Sequence, residues 1–248
     1  MKPLQLVGVI LTLISTSAMG QESDDFDWKI APYLWTVGVS GDITIGDITQ
    51  DIDVSFSDIL SDFELGGSVY AEVGKGNHAF HIDYTYIRTR TDPAPLPIPP
   101  FLEGDEVTTK MTINIFEAAY NYRWNGTDDG PALVLGARLL DIKIRMSPAD
   151  LPALTAGPDW WDYFVGVKTH NSISAKWDFD FYGTIGTGGS DLPWTVQGMF
   201  ARRFSNGNRL GLGVRVWGVD YAEGEGLMGQ YTALDTTFYG LMIGYEFN

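Results

Sequence analysis

The closing stretch Phe238-Tyr239-Gly240-Leu241-Met242-Ile243-Gly244-Tyr245-Glu246-Phe247 limits what this chain can fold into more than any other. Successive strand side chains point to opposite faces, so Tyr239, Leu241, Ile243, Tyr245 and Phe247 make one apolar face with aromatic ends. The other face, Phe238, Gly240, Met242, Gly244 and Glu246, is small and mixed. A soluble sheet covers an apolar face with a second layer, whereas a transmembrane barrel turns it to lipid and sets aromatic rings at the interfaces. One strand fits both. A series of such strands, with connections sorted by length, fits the barrel.

Ten stretches carry strand patterning: about 28–41, 66–73, 78–90, 106–123, 132–146, 160–170, 177–186, 193–204, 209–221 and 231–247. In the first, Ala31, Tyr33, Trp35, Val37 and Val39 share a face. In the third, Phe80, Ile82, Tyr84 and Tyr86 oppose His81, Asp83 and Thr85. In the ninth, Leu210, Leu212, Val214 and Val216 oppose Gly211, Gly213, Arg215 and Trp217. Every second connection is short and rich in turn formers, as at Gly74-Lys75-Gly76-Asn77 and Ser205-Asn206-Gly207-Asn208. The others are longer. Residues 42–64 carry Asp42, Asp47, Asp51, Asp53, Asp58, Asp62 and Glu64 and no basic residue; Ile43–Val54 alternates about Gly46-Asp47 like a hairpin, and Ser57–Phe63 reads as a helical turn capped by Ser57. Residues 91–105 hold too many prolines for a central strand, and 147–159 and 187–192 read as loops.

This sorting predicts an all-β, closed up-and-down antiparallel transmembrane β-barrel of about ten strands, or eight or twelve depending on how the 43–54 hairpin is counted. Both termini then lie on the short-turn side. Trp28, Trp124, Trp160, Trp177, Trp194, Phe204, Tyr221 and Phe247 are expected in two interfacial girdles. Residues 1–20 read as a secretory leader, with Lys2, an apolar run Leu4–Ile14 and the small-x-small site Ala18-Met19-Gly20, leaving residues 21–248 as one barrel domain. No later apolar run is long enough to span as a helix, so an exported chain that crosses a membrane does so as a barrel. The absence of Cys excludes a disulfide framework, a zinc–thiolate site and a Cys nucleophile. A net charge of −16 argues against nucleic acid as a partner and against bare anionic lipid, unless divalent cations bridge the two.

Two segments, Ala31-Pro32-Tyr33-Leu34-Trp35 and Val54-Ser55-Phe56-Ser57-Asp58-Ile59-Leu60, together with the last strand, carry a family resemblance. The chain resembles the small bacterial outer-membrane β-barrel proteins of the OmpA-like and opacity-type group, and more closely a proteobacterial set that shares those two segments. The resemblance implies the barrel fold, the outer membrane of a Gram-negative bacterium, and a terminal strand that barrel-assembly machinery recognises. Members of the group end on an aromatic residue; here Asn248 follows Phe247. The resemblance implies no reaction.

Any chemistry belongs to the lumen. With the apolar faces outward, the inward set comprises Glu72, His81, Asp83, Glu117, Arg138, Asp162, Lys168, His170, Asp178, Asp180, Arg203, Arg209, Arg215 and Glu246. Glu117 and Arg138 stand at similar distances from their shared turn and are expected to pair. A structural ionic network of Glu72, His81, Asp83, Glu117, Arg138 and Arg215 is expected, because an unpaired charge in a confined space is costly. His81 with Asp83 meets the composition of a hydrolase site but has no Ser as partner, and residues 183–189 lack the Lys-Ser/Thr and helix of a phosphate loop. Asp47, Asp51 and Asp53 offer hard oxygens for Ca²⁺ or Mg²⁺ without matching an EF-hand spacing. The expectation is therefore a non-enzymatic barrel without cofactor or specific metal site. Its role is structural or envelope-associated, with limited small-solute passage, and its partners are outer-membrane lipid, lipopolysaccharide through divalent cations, and the assembly machinery. Three alternatives stay open: a porin-like diffusion channel, an enzyme acting on lipid or peptide at the outer leaflet, and an adhesin or ligand-binding barrel using loops 42–64 and 91–105.

Overall fold

The computed structural model describes residues 26–45, 47–54, 63–90, 94–95, 106–148, 153–223 and 231–248. The expected leader lies outside these residues, as does most of the expected helical turn; Phe63, at the end of that turn, begins a strand instead. Among the described residues thirteen strands follow one another: β1 (Asp27–Ile45), β2 (Ile48–Val54), β3 (Phe63–Lys75), β4 (His78–Arg90), β5 (Ala94–Pro95), β6 (Glu106–Arg123), β7 (Gly130–Pro148), β8 (Leu154–Ala156), β9 (Asp159–Ser174), β10 (Trp177–Gly188), β11 (Trp194–Arg203), β12 (Arg209–Glu223) and β13 (Thr232–Glu246).

Ten of them form the wall, in the order β3-β1-β13-β12-β11-β10-β9-β7-β6-β4, with β4 returning to β3, so the sheet is a closed antiparallel barrel. Among the described residues there is no helix. The short strands β2, β5 and β8 extend hairpins at the long-loop end. β2 folds back on β1 with Ile45 opposite Ile48, where the alternation about Gly46-Asp47 places the turn. β8 pairs with Ile144–Met146, so part of the expected 147–159 loop is strand. Its residues Leu154-Thr155-Ala156 are too few to show a period. At the other end the turns are tight, and Gly76 (φ 58) and Gly207 (φ 88) supply the left-handed backbone two of them need. β1 changes partner along its length, pairing with β3 as far as Tyr33↔Ser68 and with β2 from Val39↔Val54.

The wall inverts its polarity partway along. Near the short turns the outside is apolar: Tyr239, Leu241, Ile243 and Phe247 of β13, Leu210, Leu212 and Val214 of β12, and Leu133 and Leu135 of β7 are exposed. Glu72, His81, Asp83, Glu117 and Arg138 at the same level are buried inside. Residues 239–247 span roughly 27 Å of strand, or roughly 21 Å of height at a tilt of about 40°. Towards the long loops the pattern reverses. Along β7, Asp141, Lys143 and Arg145 now face out, while Leu140, Ile142 and Met146 are buried. Along β4, Arg88 and Arg90 replace Tyr84 and Tyr86 on the outer face, and Ile87 is buried. The interior of this second zone is an ordinary dry core of Val37, Ile87, Ile113, Leu140, Ile142, Trp160, Trp217, Val219, Tyr221 and Phe238. The β6–β7 ladder continues into it from Asn114↔Asp141 to Val107↔Pro148, roughly another 24 Å of strand.

The inversion corrects two expectations. Trp160 and Tyr221 belong to no outer girdle: they are buried and stack on each other inside, with ring centroids 4.0 Å apart. Trp161 takes the outward position. In β1 the face bearing Tyr33, Trp35 and Val37 turns inward, and Trp28 and Leu34 are exposed. Charges on the outside of the second zone are sorted by flank. Asp51, Asp42, Asp235 and Asp220 stand in one rung across β2, β1, β13 and β12. Arg90, Lys110 and Arg145 form a rung across β4, β6 and β7.

Candidate functional site

The site is the inside of the apolar-belted zone, and the alternation of each strand places its residues. The fourteen inward positions expected from sequence are all buried or half-buried. Glu117 and Arg138 are register partners on β6 and β7, and the guanidinium donates from Nε and Nη2 to Glu117 Oε2 at 2.9 and 2.6 Å. Glu117 Oε1 accepts the Tyr182 hydroxyl at 2.6 Å and meets His81 Nε2 at 3.2 Å. The Arg138 guanidinium also lies over the Phe164 and Trp217 rings, 5.3 and 5.2 Å from their centroids.

Other ties cross the lumen. Arg215 Nη2 donates to Asp83 Oδ2 at 2.9 Å and Nη1 to the Tyr33 hydroxyl at 3.0 Å, while that hydroxyl donates to Asp83 Oδ1 at 2.7 Å. β12 and β4 are four places apart around the wall, so this bond spans nearly the full diameter. Lys168 of β9 crosses in the same way to Glu72 of β3, whose other oxygen accepts Arg123 Nη2 at 2.9 Å. His81 and Asp83 do not form a dyad: His81 is held by Glu117 and the Asn121 amide, Asp83 by Tyr33 and Arg215. A second cluster joins Arg209 to Glu246 at 2.7 Å, to Asp180 at 3.1 Å and to Asp178 at 3.6 Å, with His170 on Asp180 and Arg203 on Asp178. Asp162 stands apart from both. It accepts the Ser190 backbone N–H at 2.8 Å, and Trp160 Nε1 donates to Ser190 Oγ at 2.9 Å, so the β10–β11 connection is pinned over the dry core.

Several members of the network have no signal in local sequence. Arg123 is 2 % exposed and holds Asp27, three places away around the wall. Lys29 is buried and pairs at 2.6 Å with Asp128, which reaches in from the β6–β7 turn. Burial pushes the Asp128 carboxyl up, but the Lys29 ammonium outweighs this and leaves it below the ordinary aspartate value. Pairs so distant in sequence appear only once the barrel closes. Tyr70 and Tyr182, whose hydroxyls donate to network carboxylates, follow from the alternation alone; Tyr33, which donates to Asp83, stands on the apolar face of its strand and does not.

Below the Arg215–Asp83 tie lies a cavity of about 130 Å³. One wall is ionic, with Lys29, Lys168 and Arg209; the other is small or apolar, with Ala31, Met199, Ala201, Gly211, Met242 and Gly244. Above the tie lies a second cavity of about 20 Å³, between Trp35, Thr195 and Trp217, with room for about one water. Beyond that is the dry core. Among the described residues no three His, Asp or Glu side chains are placed to share a metal ion.

Fold and site together define a closed ten-stranded barrel with an ion-paired lumen. No protein-family model matches the chain, and no curated protein does. Among solved structures it is similar to a FadL homologue from Pseudomonas aeruginosa, at 7% identity over 89% of each chain and a TM-score of 0.34. It is also similar to the toluene transporter TodX of Pseudomonas putida, at 7% identity over 90% of this chain and 89% of that one, with a TM-score of 0.29. Likeness at this level says nothing about what this lumen binds.

Proposed function

We propose that this protein is an outer-membrane β-barrel of the OmpA-like and opacity-type group with a structural, envelope-associated role. Its short turns face the periplasm, and its outer half closes the lumen. The polarity inversion along the wall carries this reading. An apolar belt roughly 21 Å high suits a bilayer of the kind such barrels cross, and an ion-paired interior suits the inside of a transmembrane wall. The charged outside and dry inside of the second zone suit water on one side and close packing on the other. Among the described residues, an apolar core and the Arg215–Asp83 tie stand in series along the lumen. Solute passage is then limited to what can displace those groups. His81, Asp83 and Glu117 act as ties in this proposal, not as acid–base groups. Its partners are the surrounding lipid and the assembly machinery that meets the last strand.

Single-channel recording of the refolded chain, residues 21–248, in a planar bilayer tests the proposal. Native protein is expected to be silent or to open rarely, and a Trp35→Ala, Trp217→Ala double variant is expected to show steady steps. Steady conductance from the native chain overturns the closed-barrel reading. Exclusion of the folded chain from neutral lipid vesicles overturns the membrane reading.

A further inference from the structure

The chain holds only 16 Lys and Arg against 32 Asp and Glu, yet five of those cations share one outer flank. Three outward rungs climb this flank above the rung Tyr84, Phe116 and Leu139: Tyr86, Asn114 and Asp141; then Arg88, Thr112 and Lys143; then Arg90, Lys110 and Arg145. Arg88 and Arg90 share Glu64, and Lys143 pairs with Asp141 at 2.6 Å. Lys110 and Arg145 meet no carboxylate among the described residues. Like charges directly opposite on neighbouring strands repel, so a rung of three cations is a place that favours an anion.

The height of the rungs says which anion. Lys143 lies four residues beyond Leu139 and Arg145 six, roughly 10 and 16 Å higher at a tilt of about 40°. That is where a headgroup layer sits above the hydrocarbon, and long basic side chains reach back towards it. The opposite flank carries the Asp51–Asp42–Asp235–Asp220 rung and repels the same ligand. We infer that the β4–β6–β7 flank is a binding site for the phosphate groups of a phosphorylated glycolipid in the leaflet at the long-loop end. Arg90, Lys110 and Arg145 contact the phosphates directly, without a bridging divalent cation. The inference rests on the membrane reading above.

The test is titration of the refolded chain in neutral detergent with diphosphorylated lipid A and with its dephosphorylated form, read by native mass spectrometry in the presence of a chelator. Native protein is expected to prefer the phosphorylated form. The variant R90Q/K110Q/R145Q is expected to bind it on the order of 100-fold more weakly, at roughly fivefold per cation near a charged surface. Equal binding of the two lipids by native protein, or an unchanged triple variant, overturns the site. So does a match between inorganic phosphate and the lipid at equal phosphate, which would show an anion site with no lipid character. Insertion into neutral phosphatidylcholine vesicles is scored in parallel: a chain that inserts but does not discriminate loses only this inference, and a chain that does not insert loses the membrane reading. If the triple variant fails to fold, K110Q alone, with a fivefold loss expected, decides together with the native comparison.

Discussion

Replacing Glu117 by alanine probes a lumen carboxylate that serves three partners at once. It leaves Arg138, which is 6 % exposed, with no counter-charge, and removes the acceptor of the Tyr182 hydroxyl and the partner of His81 Nε2. Breaking a buried pair costs roughly 3–5 kcal/mol, and an orphaned hydroxyl roughly 1–3 kcal/mol more, so E117A is expected to cost roughly 4–8 kcal/mol. E117Q keeps the shape and one acceptor oxygen, loses the charge and turns the other oxygen into an NH2 donor; roughly 2–3 kcal/mol is expected. The double variant E117L/R138M removes both charges and fills their space. It is expected to return to within roughly 2 kcal/mol of native protein, because apolar pairs often replace buried ion pairs at little cost. Reversible urea unfolding from lipid vesicles, followed by tryptophan fluorescence, measures all three and, with the singles E117L and R138M, completes a double-mutant cycle. The reasoning fails if E117A costs less than about 1 kcal/mol, or if the double variant costs as much as its two singles added. Either result would mean that water, and not Arg138, solvates Glu117.

Two further outcomes follow from single positions. A Cβ at Gly240 would stand 1.8 Å from the Thr36 carbonyl oxygen across the β1–β13 seam, so G240V is expected to destabilise by roughly 1–3 kcal/mol and to lower the temperature at which the barrel loses its compact band on a gel. At the short-turn end the Asp128 carboxyl titrates below its ordinary value of 3.8, so its pairing with Lys29 stabilises the fold fully above that value and the contribution is lost as pH falls through the lowered one. Native protein is therefore expected to exceed D128N in stability at neutral pH by up to about 1 kcal/mol and to converge on it as the pH falls through the lowered value, read from urea midpoints across the range.

The barrel was legible in the sequence because period-two patterning is a local property. β4 and β6 have the ends that alternation and flanking turns give them, His78 to Arg90 and Glu106 to Arg123. The inward charges were legible for the same reason: each is fixed by its neighbours along one strand. What stayed hidden needs partners. Arg123 with Asp27 and Lys29 with Asp128 lie 96 and 99 residues apart, and nothing local marks them as interior ties. The inversion misled the girdle assignment of Trp160 and Tyr221, because an aromatic near a strand end reads alike at an interface and in a dry core. The signal that separates them sits one position away, in the charges Asp141, Lys143 and Arg145 and Arg88 and Arg90 that alternate with buried apolar residues.

The seam between the first and last strands also bears on how the barrel is made. β1 and β13 share thirteen rungs, from Tyr33↔Gly244 to Ile45↔Thr232, and these run through both the belted zone and the charged one. Until β13 is in place, two free edges run the height of the wall. In hydrocarbon each unpaired N–H or C=O on those edges costs several kcal/mol. Closure is thus a single late event that belongs to the whole molecule, and a chain stopped short of the fifteen residues of β13 keeps two open edges, not a smaller barrel.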